Sequence, residues 1–201
     1  LPVRGYGILY RYGLFKQLFD NGFQTEHPDP WMEEGYPFVI RREEEARYVR
    51  FADMDVRAIP YDMPITGYNT KNVNTLRLWN VQVNSEINSA RLAQEDVSLP
   101  EENSYHYDKI SRVLYPDDST EAGRELRLRQ AYFLASATIQ DILNRHYMLH
   151  KTWDNLAGKV AIHLNDTHPV LSIPELMRVL IDEHKFSWEK AWDITSQIFS
   201  Y

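Results

Sequence analysis

Residues 160–175 read VAIHLNDTHPVLSIPE. The first five, VAIHL, are a short apolar run with the look of a buried strand. Asn165 to Pro169 follow as a polar turn. Ser172-Ile173-Pro174-Glu175 then has the form of a capping box. In such a box the Ser172 hydroxyl accepts from the amide of Glu175, and the Glu175 carboxylate reaches back. Pro174, in the first turn, gives up no donor that the helix needs. A strand, a loop and a capped helix in that order indicate an α/β fold.

The pattern extends on both sides. Asp182-Glu183-His184 closes the capped helix, and Ser187 caps the next, with Trp188, Trp192 and Thr195 expected on one face. Upstream, Leu128, Tyr132, Ala135, Ile139 and Ile142 recur at spacings of three and four, which predicts one long helix over residues 121–149. Residues 118–201 are therefore helical with one buried strand. Residues 84–109 are polar and weakly patterned, and read as a surface arm. Residues 36–88 read as strand-rich, with candidates at 48–51, 56–59 and 75–79 punctuated by Pro60, Pro64 and Gly67. The run RREEEAR at 41–47 reads as a solvated face. Residues 13–20 (GLFKQLFD) look like a short amphipathic helix, and Asn21-Gly22 is a turn signal.

The chain has 201 residues, a net charge of −7 and no cysteine. The acidic balance argues against a nucleic-acid partner. The lack of cysteine excludes disulfides and thiolate zinc sites. No apolar run approaches the roughly 20 residues of a membrane span, so no membrane partner is expected. With no signal-peptide pattern at the start, the expected location is the cytoplasm. The apolar ending Phe199-Ser200-Tyr201 suggests a truncated chain.

Two stretches could carry chemistry. Asn165-Asp166-Thr167-His168-Pro169 follows a strand, where open α/β sheets gather their ligands. Its donors and acceptors suit a polyhydroxylated ligand, but the same residues would also make an Asx-type turn. His163, Asp166 and His168 are near one another, yet strand alternation and the lack of a further His or carboxylate motif argue against a metal. Tyr115-Pro116-Asp117-Asp118-Ser119-Thr120 precedes the long helix. Its acids suit the positive end of a helix dipole. Arg124, Arg127 and Arg129 have the wrong sign there. Glu121 and Glu125 can pair with some of them, and the remaining charge could order the acid loop or meet an anion. Gly5-Tyr6-Gly7 does not complete a dinucleotide fingerprint, and no Walker loop or G-x-S-x-G is present. Tyr6, Tyr10 and Tyr12 read as core rather than as sugar-stacking rings.

Eight motifs stand in one order: Gly5-Tyr6-Gly7-Ile8, Tyr12-Gly13-Leu14-Phe15, Pro60-Tyr61-Asp62, Asn74-Thr75-Leu76-Arg77-Leu78-Trp79, Ser111-Arg112-Val113-Leu114-Tyr115-Pro116, Glu125-Leu126-Arg127-Leu128, residues 164–169, and Ile173-Pro174-Glu175-Leu176-Met177-Arg178. The order resembles that of the α-glucan (glycogen and maltodextrin) phosphorylases of bacterial type, over nearly the whole chain. The resemblance implies part of the N-terminal lobe of a two-lobed, GT-B-like glycosyltransferase dimer. In that family inorganic phosphate cleaves terminal α-1,4 bonds of a glucan to give glucose 1-phosphate, and pyridoxal phosphate supplies the proton shuttle.

Asp118 matches the acidic position of the family's active-site gate, and is the implied catalytic residue. Ser119 stands where many members carry an asparagine that bonds the glucosyl unit. Thr120 replaces an aromatic of the animal inhibitor site. Asp166 and His168 match the stretch that lines the sugar pocket. Asn144-Arg145 falls where animal members pair two arginines for a nucleotide activator, so Arg145 alone implies weak or absent activation. The cofactor lysine, the basic residues for phosphate and a Thr-Asn-His expected after Tyr201 are not in these residues. The chain alone is therefore expected to be inactive. The alternative is a non-catalytic carbohydrate-binding or regulatory module of the same ancestry.

Overall fold

The computed structural model describes residues 3–29, 35–83 and 109–201. Strands dominate the first of two units, Leu1–Gln130: β1 (Arg4–Ile8), β2 (Leu14–Asp20), β3 (Phe23–Asp29), β4 (Ile40–Arg41), β5 (Arg47–Arg50), β6 (Asp55–Thr66) and β7 (Val73–Val83). The main sheet has the order β1-β7-β6-β4, with β5 also paired to β6. β1 runs parallel to β7, and β6 and β7 form a long antiparallel hairpin. Val56, Ala58 and Pro60 of β6 pair with Val83, Val81 and Trp79 of β7. Val56, Ala58, Trp79 and Val81 are buried together with Val49 and Ile110, so one face of the sheet carries the core.

Pro60 and Pro64 do not end the strand, although prolines usually mark strand ends. In an antiparallel strand a residue's nitrogen and carbonyl point to the same side. The Pro60 carbonyl accepts from the Arg42 amide at 2.9 Å, so its nitrogen also faces the β4 side. Pro64, four residues on, faces that side too, beyond the last β4 pair at Ile40 and Asp62. Neither proline removes a donor from the ladder with β7.

Residues 13–20 are not a helix. Leu14–Asp20 pairs antiparallel with Phe23–Asp29, and Asn21 and Gly22 both take positive φ, 49° and 81°, as a type I′ hairpin turn requires. The repeats Leu14/Leu18 and Phe15/Phe19 are four apart, a spacing that a helix face and a strand face share. The turn signal decides between them. The charge run 41–47 is likewise more than a solvated face. Glu45 pairs with the buried Arg77 at 2.7 Å, and Glu43 pairs with Arg57 at 2.9 Å and with Arg41.

In the second unit, Ala131–Tyr201, the elements are most of α1 (Glu121–His150), α2 (Leu156–Lys159), β8 (Ile162–His163), α3 (Ser172–Arg178), a π-helical turn at Val179–Glu183, α4 (Trp188–Ile198) and β9 (Phe199–Ser200). β8 and β9 pair in parallel. Ile139 and Leu143, Leu176 and Leu180, and Ala191, Ile194 and Ile198 meet in one core, each set at the helical spacing of three or four. Ser187 caps α4 by accepting from the Lys190 amide at 3.3 Å. Thr195 is buried, but Trp188 and Trp192 are 64% and 52% exposed, so the three do not share a buried face. Leu128 is also exposed. No helix among the described residues is long and apolar enough to cross a membrane. The surface arm read at 84–109 lies outside the described residues, save Lys109.

The capping box is not made. The Glu175 amide bonds the Leu171 carbonyl at 3.0 Å, and the chain is already turning at Val170 and Ser172, whose amides bond Thr167 and Pro169. That earlier turn satisfies the amides the box would have served. The buried Glu175 carboxylate instead takes the Arg178 guanidinium at 2.8 and 3.0 Å.

Candidate functional site

In the first unit the acid loop is held from both ends. Its lead-in, the 3₁₀ turn Lys109–Ser111 and the residues after it, lies along residues 11–12. Arg11 and Tyr12 amides bond the Ser111 and Arg112 carbonyls at 2.9 Å. Gln130, buried on α1, donates to the carbonyls of Ile110 and Val113 at 3.1 and 2.9 Å. At its far end the loop enters the helix through Thr120, whose hydroxyl accepts from the Gly123 amide at 3.1 Å. Thr120 is therefore the N-cap, a place the two acids were read to fill.

The acids serve the loop itself. Asp117 accepts from the amide and the hydroxyl of Ser119, each at 2.9 Å. These bonds, the amide first, hold its carboxyl below the usual carboxylate range. The Ser119 hydroxyl proton is thus committed inward, and the oxygen keeps only acceptor capacity for a ligand. Asp118 pairs with Arg127, and Arg124 donates to the carbonyls of Asp118 and Ser119 at 3.2 and 3.3 Å. An acid loop ordered by arginines, one of the sequence readings, is what the structure contains. Arg129 instead pairs with Glu125 at 2.7 Å and with Asp53 at 2.9 Å. Tyr115, at the loop's start, takes φ 55° and is exposed. The half-buried Tyr10 phenol is pushed up to about 12, by burial and then by Tyr115.

In the second unit the Leu164 amide bonds the Ser200 carbonyl at 2.9 Å, which places Asn165 directly after the paired strand. Asp166 takes φ 63° and accepts from the Thr167 amide. That bond, with a smaller contribution from His168, lowers the Asp166 carboxyl. His168 Nε2 stands 3.8 Å from Asp166 Oδ2, with both side chains about half exposed or more. The Asp166 carboxylate takes the amide of the next residue rather than the one two on, so this bond is not that of an Asx-type turn. The loop brings Asp166 and His168 together after β8, both open to solvent. On α3 Arg178 joins Glu175 and Glu183. No group of three or more His, Cys, Asp or Glu among the described residues could hold a metal ion. Arg145 is exposed near the end of α1, beside the exposed Asn144.

Sequence reading missed two features here. Asp117 organises the loop rather than capping the helix; the Asp-x-Ser spacing was the available signal. Gly123 lies against the Asp117 carbonyl, a contact for which no sequence signal existed.

The family description Carbohydrate phosphorylase matches residues 1–201. The glycogen phosphorylase of Haemophilus influenzae is 49% identical over 216 residues, with all of this chain and 26% of that protein covered. The glycogen phosphorylase of Bacillus subtilis and the cytosolic alpha-glucan phosphorylase 2 of Arabidopsis thaliana are each 40% identical, again over all of this chain and 26% of theirs. The chain thus spans about a quarter of the length of these relatives. The first alignment covers 216 positions against 201 residues, so that relative carries residues this chain lacks. A match along every residue, with this identity to three phosphorylases, makes the chain a member of the carbohydrate phosphorylase family.

Proposed function

We propose that this chain is a segment of the N-terminal lobe of a GT-B-type α-glucan phosphorylase, which uses inorganic phosphate to release glucose 1-phosphate from the non-reducing end of an α-1,4-glucan. The observation that carries the reading is the Asp166–His168 pair, held 3.8 Å apart and open to solvent directly after a strand. Such a pair presents an acceptor and a ring nitrogen to neighbouring hydroxyls of one sugar. Asp118 supplies a carboxylate from the gate loop, with its charge balanced by Arg127. Ser119 offers the sugar an acceptor only.

Pyridoxal phosphate, which the family implies, supplies acid–base chemistry through its phosphate when bound. Its lysine would need an enclosed setting to form an imine. No lysine among the described residues is buried, so this chain's own residues do not fit that role and no step is assigned to the group here. The segment alone is accordingly inactive, and activity belongs to the complete, cytoplasmic, dimeric enzyme. Arg145, without a second arginine beside it, makes nucleotide activation weak or absent.

The test is phosphate-dependent release of glucose 1-phosphate from a maltooligosaccharide by the complete protein and by this segment. Release by the complete protein alone is expected. Turnover by the segment, or none by the complete protein, would refute the reading.

A further inference from the structure

Gly123 lies in the first turn of α1 with ordinary helical backbone, so no positive φ demands a glycine there. Space does. A Cβ on Gly123 would lie 1.7 Å from the Asp117 carbonyl oxygen and 2.8 Å from its carbon. The loop backbone therefore rests directly on the helix, and a methyl group at that point must lift it. Two further contacts hold the same stretch. Arg124 spans the successive carbonyls of Asp118 and Ser119 with one guanidinium nitrogen. Arg127, one turn on, takes the Asp118 carboxylate. Both arginines stand near the helix end whose dipole disfavours cations. Their bonds run to the loop, which gives a reason for their position that the helix itself does not.

We propose that Gly123, Arg124 and Arg127 are positioning residues for the gate loop, fixing where the Asp118 carboxylate stands against the glucosyl unit. The proposal rests on the phosphorylase reading of Asp118. Gly123 sets the height of the loop, Arg124 its backbone path, and Arg127 the direction of the carboxylate. A displacement of about 1 Å in a positioned group can cost on the order of 100-fold in rate, so a methyl group at residue 123 acts on catalysis without touching substrate.

The test uses the complete enzyme with Gly123→Ala, Arg127→Met, Asp118→Asn and the double variant Asp118→Asn/Arg127→Met. The readouts are kcat and KM for maltooligosaccharide phosphorolysis, and the thermal midpoint. Gly123→Ala should lower kcat/KM by about 100-fold with the midpoint nearly unchanged. Because Arg127 acts through Asp118, the double variant should match Asp118→Asn within about twofold. An active Gly123→Ala, or losses from Asp118→Asn and Arg127→Met that multiply, overturns the proposal while leaving the role of Asp118 intact. Full activity of Asp118→Asn overturns the reading of Asp118 itself, and the proposal with it. Should Gly123→Ala not fold, the Arg127 cycle decides alone.

Discussion

Arg77 is fully buried, and it donates to both carboxylate oxygens of Asp62, at 2.7 and 2.8 Å. The two face each other across the β6–β7 ladder, and Glu45 takes another guanidinium nitrogen at 2.7 Å. Burial alone would raise the Asp62 carboxyl. The hydrogen bond and charge of Arg77, followed by Arg4 and Arg42, outweigh it and lower the group. Removing one member of such a pair strands a charge away from water, and that costs about 3–5 kcal/mol. Asp62→Asn is expected near the lower figure, because Glu45 remains for Arg77. Its stabilising effect in the wild type is present above about pH 3.9, the unfolded carboxyl value, and is lost as pH falls through the lower folded value. Urea unfolding of both forms at neutral pH and near pH 3 checks this, and an equal gap at the two pH values would contradict it.

Thr195 offers the opposite case. It is 1% exposed on the inner side of α4, and its hydroxyl oxygen has no hydrogen-bond partner among the described residues. A buried polar group without a partner costs about 1–3 kcal/mol. Thr195→Val keeps the shape and removes the hydroxyl. It is expected to raise stability by about 1 kcal/mol, read as a higher urea midpoint with the same slope. A lower midpoint would mean that the hydroxyl is satisfied in the complete protein.

What the sequence made legible was periodicity and punctuation. The long helix is observed at Glu121–His150, one residue from its expected end, because spacings of three and four persist for so long. Strand against helix at residues 13–20 was not legible from Leu14 and Leu18, since both periods accept a step of four. Pro60 and Pro64 hid the length of β6, because which side a proline's nitrogen faces depends on a partner strand. Ser172 and Glu175 have the residues of a capping box, but the preceding turn competes for the same amides. At the site, residue types marked both loops. The inward commitment of the Ser119 hydroxyl and the fit of Gly123 against Asp117 are properties of packing, and one-dimensional spacing does not encode them.

The loop's own titration makes a further prediction. The Ser119 amide and hydroxyl depress the Asp117 carboxyl, so these bonds favour the folded loop above about pH 3.9, the unfolded value. They weaken as pH falls through the lower folded value. Protection of the Ser119 amide from hydrogen exchange, relative to its rate in an unstructured chain, is expected to persist down to about pH 4, near the unfolded value, and to be lost only in stronger acid. Asp117→Ala, which removes the acceptor, should abolish the protection at every pH. Protection that survives this change would assign the ordering to Arg124 alone.

On the proposed reading, Asp118 and His168 separate gate from pocket. Asp118 is exposed and paired with a partly exposed Arg127, and such surface pairs add little stability. Asp118→Asn in the complete enzyme is therefore expected to lower kcat while leaving the thermal midpoint within about 1 °C, a shift below what 1 kcal/mol produces. His168 is half exposed beside Asp166, so a bound sugar can reach it without rearranging a core. His168→Ala should raise the KM for glucan about tenfold, since a lost hydrogen bond costs about 1 kcal/mol or more and 1.4 kcal/mol is one decade of affinity. On the proposed reading the two effects fall on different constants, because that reading assigns Asp118 to a gate loop and His168 to the sugar pocket. Steady-state kinetics with a varied maltooligosaccharide distinguishes them. A KM change from Asp118→Asn with an unchanged kcat would make the gate a binding element, and an unchanged KM in His168→Ala would leave its loop as a turn and nothing more.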